Sequence, residues 1–449
     1  MKFTSLFTGI LVFTFSSIAQ IWPPANMKGD GTENNPWQIT KPEELAVLSD
    51  YLLLGYGDNT AGKYYKLMNN IDLIEYKNWK PIGSYQMYYP NMLIFQGNFN
   101  GNGKIIKNLT ITRPYQNYIG FFGNISNAKI EKLGIENCNI FGKDYVGGLA
   151  GKAKYSVINE CYVAGNVEGT GSLPEYAGGL IGYIDNPTIT NCYTVCNVKG
   201  SIGVGGLVGA AYALSSDYII STSYSVGTVT ARFDICGGLA GSFLNGTTIN
   251  CVAINNSVIL TTNAMEIGRI IGDDFRINCY NNYALNTMVV QNRNGDVSIE
   301  DDLNSKHGMG VGMGMLKSFE FYANADNWLD NAWDISSPNS VWKICDGKGL
   351  PFLRWQNIDC DLSIEEFKNN KEKITVYPNP TKGELVIINN EQLIINNVGV
   401  LDILGRKVLG YGVQGSGYMV IDVSELAAGV FFVRVVTEKG VFTERFVKQ

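Results

Sequence analysis

Apolar positions fall into three regimes along this chain. From Leu6 to about Ile18 they run together without an acidic or basic residue, behind a single early cation at Lys2. From about residue 61 to 300 they come in short, β-branched, partly alternating runs punctuated by glycine, of which Thr188–Val198 is typical. Such runs predict short strands, and helical propensity is low throughout. After a polar stretch at 362–373, alternating runs return at Ile374–Tyr377, Glu384–Ile388, Val398–Leu404, Lys407–Gly410, Tyr418–Val423, Val430–Val436 and Val441–Val447. About seven short strands with turn signals between them predict a small β-sandwich.

The first apolar run closes on Ser17-Ile18-Ala19, a small-x-small pattern. It is short for a bilayer, and no second run of spanning length follows, so residues 1–19 read as a signal peptide and no transmembrane anchor is expected. A membrane anchor at this position is the competing reading. Cleavage leaves about 430 residues, more than one compact core normally organises.

The central glycines recur with a pattern. Tyr118-Ile-Gly-Phe-Phe-Gly123, Tyr145-Val-Gly-Gly-Leu-Ala-Gly151 and Tyr176-Ala-Gly-Gly-Leu-Ile-Gly182 are followed by Val204-Gly-Gly-Leu-Val-Gly209, Cys236-Gly-Gly-Leu-Ala-Gly241 and Ile267-Gly-Arg-Ile-Ile-Gly272. The leading glycines Gly120, Gly147, Gly178, Gly205, Gly237 and Gly268 are 27, 31, 27, 32 and 31 residues apart. A near-fixed period in this range marks a stacked array. Glycine there permits a sharp bend with positive φ and a close approach between coils, while the following Leu or Ile points inward. Coils paired edge to edge rise about 4.8 Å each, giving a rod on the order of 30–45 Å long. The expected fold is all-β: a right-handed β-helix-like solenoid followed by a small immunoglobulin-like β-sandwich.

A second motif sets the register at Asn137-Cys138, Cys161-Tyr162, Cys192-Tyr193, Ser223-Tyr224, Cys251-Val252 and Cys279-Tyr280. Cys138, Cys161, Cys192, Cys251 and Cys279 are therefore expected to form one internal ladder of free thiols rather than a disulfide framework. Cys196 and Cys236 fall off that position and read as small core residues. Cys345 and Cys360 bracket the last part of the array, either as one disulfide of an exported protein or as two buried thiols.

Gly-Gly-Leu-x-Gly at this spacing resembles the GLUG-motif repeats of bacterial surface proteins. Gly29-Asp-Gly-Thr32, Pro36-Trp-Gln-Ile39 and Glu43-Glu-Leu45 resemble the segment that opens such domains, with one short helix. Tyr65–Leu73, Trp79–Gly83 and Phe95–Gly103 resemble the first coils, although Asn100 stands where that family carries aspartate. Trp328, Trp333, Trp342 and Leu350–Trp355 resemble the closing segment that covers the last coil. The C-terminal part is similar to the sorting domain of the type IX secretion system of Bacteroidota, through Tyr377-Pro378-Asn379-Pro380, Asp402 with Gly405-Arg406, Gly429-Val-Phe-Phe-Val-Arg434 and the ending Arg445-Phe-Val-Lys448-Gln449. That resemblance implies recognition by the type IX machinery after passage through the periplasm, cleavage near the linker, and release or attachment at the outer-membrane surface. The implied order is a signal peptide at 1–19, an opening segment at 20–60, the solenoid at 61–300, a Trp-rich closing segment at 301–360, a linker at 361–373 and the sorting domain at 374–449.

Candidate chemistry is sparse. His307 is the one histidine, beside a glycine-rich run at Gly308–Gly314 that reads as a flexible loop, and a surface position is expected for it. One histidine excludes H-E-x-x-H zinc sites and multi-histidine metal centres, and no metal or cofactor is expected. Some relatives with the same repeats are metallopeptidases that cleave immunoglobulin A. This chain lacks their metal-binding helix, so that activity is not expected of it. Gly203–Gly209 falls short of a dinucleotide fingerprint, and no Gly-Lys-Ser/Thr ending marks a phosphate loop. Carboxylates cluster at Asp273-Asp274, Glu300-Asp301-Asp302 and Asp326, Asp330 and Asp334, where a glycosidase would need two converging acids.

A net charge of -6 without a Lys or Arg run argues against nucleic acid and anionic membrane surfaces as partners. The expected function is a secreted or surface, non-catalytic, adhesin-like binding protein, with tyrosines and asparagines along the coils as contact area for a glycan or protein. The alternatives are a carbohydrate-active enzyme on the same scaffold and a spacer that binds nothing specific.

Overall fold

The computed structural model describes residues 22–85, 92–171, 175–212, 219–273, 277–330, 333–360, 374–389, 395–402, 406–415, 418–437 and 440–449. The expected signal peptide, the linker at 361–373, Asp274 and Gly405 lie outside the described residues. The chain divides into two compact units, Met1–Gly312 and Met313–Gln449.

The first unit is a β-solenoid of about 8 turns whose strands pair in parallel from coil to coil. Its register is visible in columns of equivalent residues. Ile130, Ile158, Ile189, Ile220 and Thr248 stack in one column, and Tyr162, Tyr193, Tyr224, Val252 and Tyr283 in another. The leucines of the glycine motif form a third column. Leu149, Leu180, Leu207 and Leu239 each donate their amide to the next coil, at 2.9, 2.8, 2.7 and 2.9 Å, and all are fully buried. Each coil thus closes its hydrogen bonds on its neighbours while its alternate side chains fill a shared apolar interior.

The corners are made by residues in the left-handed region. Lys132, Glu160, Asn191, Thr222, Asn250 and Asn281 turn one corner with φ between 43° and 56°. Asn127, Tyr155, Asn186 and Asn245 turn another. Asparagine tolerates this conformation better than other non-glycine residues, which accounts for its recurrence at these points. The motif glycines do something else. Gly147, Gly178, Gly205, Gly237 and Gly268 stack on one another, and none of them has φ in the left-handed region, contrary to the expectation of a positive-φ bend. Their role is close approach. A Cβ on Gly178 would lie 2.1 Å from the carbonyl oxygen of Ile181, and one on Gly237 would lie 1.8 Å from that of Ala240. Gly120 joins the same stack, its missing Cβ 2.6 Å from Gly147 O. The left-handed residue sits two positions earlier, at Tyr118, Tyr145, Gly203 and Ile235.

The thiol ladder needs correction. Cys161, Cys192, Ser223 and Cys251 occupy one column, each directly before a residue of the tyrosine column, and Asn282 takes the next place. Each of the first four donates to the carbonyl two residues earlier, at 3.4, 3.1, 2.7 and 3.3 Å, so serine substitutes without loss. Cys138 and Cys279 lie elsewhere. Cys138 pairs with Gly165, which in turn pairs with Cys196, and Cys279 pairs with Thr248. A Cβ on Gly165 would lie 2.2 Å from Cys138 O, so glycine is required opposite that cysteine. Burial pushes the thiols of Cys236 and Cys251 up to about 12, which keeps them protonated.

The solenoid opens with the helix Pro42–Leu53. Proline takes its first position, and Glu44 accepts from the amides of Thr40 at 2.6 Å and Lys41 at 3.3 Å, half of a capping box. Leu45, Leu48 and Leu52 on one face are fully buried. His307, expected on the surface, is buried, and the expected loop after it forms the strand Met309–Val311 and the short helix Met313–Leu316.

In the second unit, Tyr322, Trp328, Trp333 and Trp342 pack ring against ring at 4.8–6.0 Å. Cys345 and Cys360 form a disulfide across a separation of 15 residues. The chain then makes a three-stranded and a four-stranded antiparallel sheet around a core that includes Leu385, Val398, Ile421, Val433 and Phe446.

Candidate functional site

Three of the carboxylates singled out in the sequence, Asp301, Asp302 and Asp334, are engaged in local structural contacts. Asp301 is the ion-pair partner of the buried Arg269 guanidinium, whose Nε also donates to His307 O at 2.9 Å. Asp302 accepts from the Asn304 amide and Asp334 from the Val341 amide, both turn-forming contacts. Among the described residues no three His, Cys, Asp or Glu side chains gather into a cation-binding group.

A concave site lies at the other end of the solenoid unit. It is a groove of about 660 Å³ between the end of the helix, at Leu53, and two coil corners, Lys80–Tyr85 and Arg113–Ile119. Trp79, buried and stacked on Phe121 at 5.9 Å, anchors the first corner. Asn78 holds the second by exchanging bonds with Thr112, accepting from its amide at 3.1 Å and donating to its carbonyl at 3.2 Å. Arg113, half-buried, donates to Trp79 O at 3.2 Å, Asn78 O at 3.3 Å and Gln116 Oε1 at 3.1 Å. Leu53, Leu54, Tyr56 and Met92 are exposed on the helix side.

A row of tyrosines begins in this groove. Tyr85 contacts Tyr118 at 5.4 Å, Tyr118 stacks on Tyr145 at 5.0 Å with planes 6° apart, and Tyr145 meets Tyr176 at 5.8 Å. Tyr183 lies against both Tyr145 and Tyr176, with the Lys152 ammonium 5.2 Å from its ring. Because Tyr118 and Tyr145 stack face to face, the row offers edges and hydroxyls rather than open ring faces. Burial, with Tyr145, Tyr85 and Asp144 nearby, pushes the Tyr118 phenol up to about 12. None of these groove residues carried a periodic signal except the tyrosines ahead of the glycine motif.

A third cluster was not foreseen. Glu175 is buried, with Arg232 Nη2 3.5 Å from one carboxylate oxygen and Asp144 close enough to oppose its ionisation. Desolvation raises its carboxyl to about 7. Glu168 also pairs with Arg232, at 3.5 Å.

In the sorting region, Asn379 clamps the final strand. Its Nδ2 donates to Arg445 O at 2.8 Å and its Oδ1 accepts from the Val447 amide at 2.9 Å. Thr381 continues the clamp with bonds to Val447 O and from the Gln449 amide, both 2.8 Å. Arg406 Nε donates to Asp402 Oδ2 at 2.7 Å. Gly429 pairs with Lys448, which is buried, whereas Tyr377 is exposed beside Pro378 and Pro380.

Residues 375–449 match the family described as the secretion system C-terminal sorting domain. One stretch is 30% identical over 168 residues to a "Putative Gly-rich membrane protein" of Evansella cellulosilytica, covering 34% of this chain and 17% of that one. Another is 29% identical over 136 residues to Halomucin of Haloquadratum walsbyi, covering 29% of this chain and 1% of that protein. The chain thus spans a small part of the curated relatives it matches. A solved structure of a "putative immunoglobulin A1 protease" from Bacteroides ovatus shares the fold with TM-score 0.56 and 20% identity, covering 73% of this chain and 94% of the other. That likeness overturns the expectation of a non-catalytic protein, because a chain of this fold bears a protease's name. The solenoid of this chain is followed by a type IX C-terminal sorting domain, and the protein is exported to the cell surface or secreted.

Proposed function

We propose that this chain is a GLUG-repeat solenoid of a Bacteroidota cell that binds a glycan or protein ligand at or near the cell surface. The observation that carries the reading is the groove at Tyr85, Arg113 and Tyr118, with its apolar lip and the tyrosine row leading away from it. Binding sites combine such apolar and aromatic walls with a few placed polar groups. The test uses the full chain on arrays of glycans and extracellular matrix proteins, with Tyr85→Ala as the groove variant. Saturable binding that weakens at least tenfold in the variant supports the reading, and the absence of binding to either array sinks it.

A catalytic reading is favoured by a different observation, the buried Glu175 carboxyl whose proton is held to about 7. Carboxyls raised into this range serve as general acids in hydrolases. The protease name borne by a protein of like fold points to peptide bonds as the first substrate to try. Incubation of the full chain with immunoglobulin A1, casein and a polysaccharide panel tests it, and loss of any cleavage in Glu175→Gln ties the activity to this cluster.

A further inference from the structure

We propose that the groove selects an anionic saccharide, one bearing a carboxylate or sulfate group, with Arg113 as the anion-recognising cation and Tyr85 as the platform for the sugar ring. This rests on the binding reading above and names its ligand class.

The charge of the groove is one-sided. Among the described residues its lining includes Lys80 and Arg113 and no aspartate or glutamate. Lys80 is exposed and already pairs with Asp50 at 2.9 Å. Arg113 differs from it. Its three bonds go to two backbone carbonyls and an amide, all neutral, and no described carboxylate stands within ion-pair distance. Burial alone pulls its pKa down, the mark of a cation partly stripped of water and given no counter-charge. A planar guanidinium with donors to spare suits a carboxylate or sulfate better than a point charge would.

The neighbours suit a sugar. Gln116 and Asn117 are exposed amides on the same corner, and Ser84 adds a hydroxyl. Tyr85 stands at the end of the tyrosine row. Among the described residues it meets one ring, Tyr118, at 47°, and it is 40% exposed, which leaves ring surface for a sugar to contact. An extended peptide adding itself as a strand is disfavoured, because the local backbone is already paired. Tyr118 N donates to Asp144 O, Ile119 N to Tyr145 O and Ser84 N to Leu93 O.

The experiment measures binding of the full chain to matched oligosaccharides: a polyuronate and its carboxyl-reduced form, and a sulfated glycan and its desulfated form. We expect at least tenfold tighter binding to the anionic member of one pair, weakening as salt is raised. The pair that discriminates identifies the anion as carboxylate or sulfate. Arg113→Gln should bring the two members of that pair to similar affinity, and Arg113→Lys, which keeps the charge if the glutamine variant misfolds, should retain a reduced preference. Equal binding of charged and neutral members overturns the anion assignment while leaving the groove as a glycan site. Binding to none of the four, with a matrix protein bound instead, overturns the saccharide assignment, and binding to nothing removes the groove reading itself.

Discussion

Arg232 Nη2 lies 3.5 Å from Glu175 Oε2, 57 positions apart in sequence, in a pocket so tight that a Cβ on Gly169 would fall 1.7 Å from the other carboxylate oxygen. The arginine favours ionisation, yet desolvation and Asp144 prevail, and the folded carboxyl titrates near 7 rather than at its ordinary 4.5. A carboxyl raised in the folded state contributes stability that is full below about 4.5 and is lost as the pH climbs through about 7. Glu175→Gln should therefore gain on the parent protein as the pH rises. The difference in melting temperature, variant minus parent, is expected to be larger at pH 8 than at pH 5. An equal difference at both values would show that Glu175 does not titrate in this window.

The glycine column makes a steric prediction. Gly178→Ala places a methyl 2.1 Å from Ile181 O, backbone that cannot swing aside, so we expect a loss of about 3 kcal/mol in urea denaturation. Gly314→Ala is the control, with nothing within 4 Å of its would-be methyl, and should shift stability by less than about 0.5 kcal/mol.

Tyr193 is stacked between Tyr162 at 4.9 Å and Tyr224 at 4.8 Å, with planes 5° and 7° apart. Truncating a buried ring of this size costs about 3–5 kcal/mol, because the rings above and below lose their contacts as well. Tyr193→Ala should lower the denaturation midpoint accordingly, and a shift no larger than that of an exposed-site variant such as Tyr115→Ala would show that the stack contributes little.

How much of this was legible beforehand depended on where each signal lay. The motif glycines are equivalent in three dimensions because their spacing is the coil length itself, so counting along the chain located the array. The same counting failed for cysteine. Cys279-Tyr280 imitates the ladder motif, but the true equivalent is Asn282-Tyr283, three residues on, and only the pairing of Val252 with Tyr283 distinguishes them. The groove and the Glu175 cluster had no local signature at all. Leu53, Tyr85 and Arg113 are brought together by a helix and two corners, and Asp144, Glu175 and Arg232 by three coils. The burial of His307 was hidden for the same reason, since it follows from strand pairing around Asn282.

Thiol chemistry separates the two sets of cysteines. Seven are buried and free, and two form the Cys345–Cys360 disulfide. The native protein should be inert to an alkylating reagent. Denaturation without reductant should expose seven reactive thiols, and reduction should bring the total to nine. Fewer than seven before reduction would mean a further disulfide.

Export should depend on the clamp at Asn379. Removing residues 374–449 is expected to hold the protein in the periplasm, and Asn379→Ala, which loses bonds to Arg445 O and from the Val447 amide, should reduce export in proportion to the loosening of the last strand. Cell fractionation with immunoblotting measures both, and undiminished surface display of the truncated chain would contradict the assigned route.

The tyrosine and isoleucine columns carry an evolutionary consequence. Tyr162, Tyr193 and Tyr224 meet their neighbours through the same register, 31 residues apart at each step. A duplication of that segment would lay tyrosine on tyrosine and isoleucine on isoleucine, adding about 4.8 Å to the solenoid while giving each coil an equivalent neighbour. An insertion inside a paired strand would throw the inward side chains that follow it out of phase, whereas the step from Ile130 to Ile158 is shorter than that from Ile158 to Ile189, so the corners between strands absorb small differences in length. The length of the solenoid can therefore change in descendants by whole coils, and the groove and the sorting domain need not change with it.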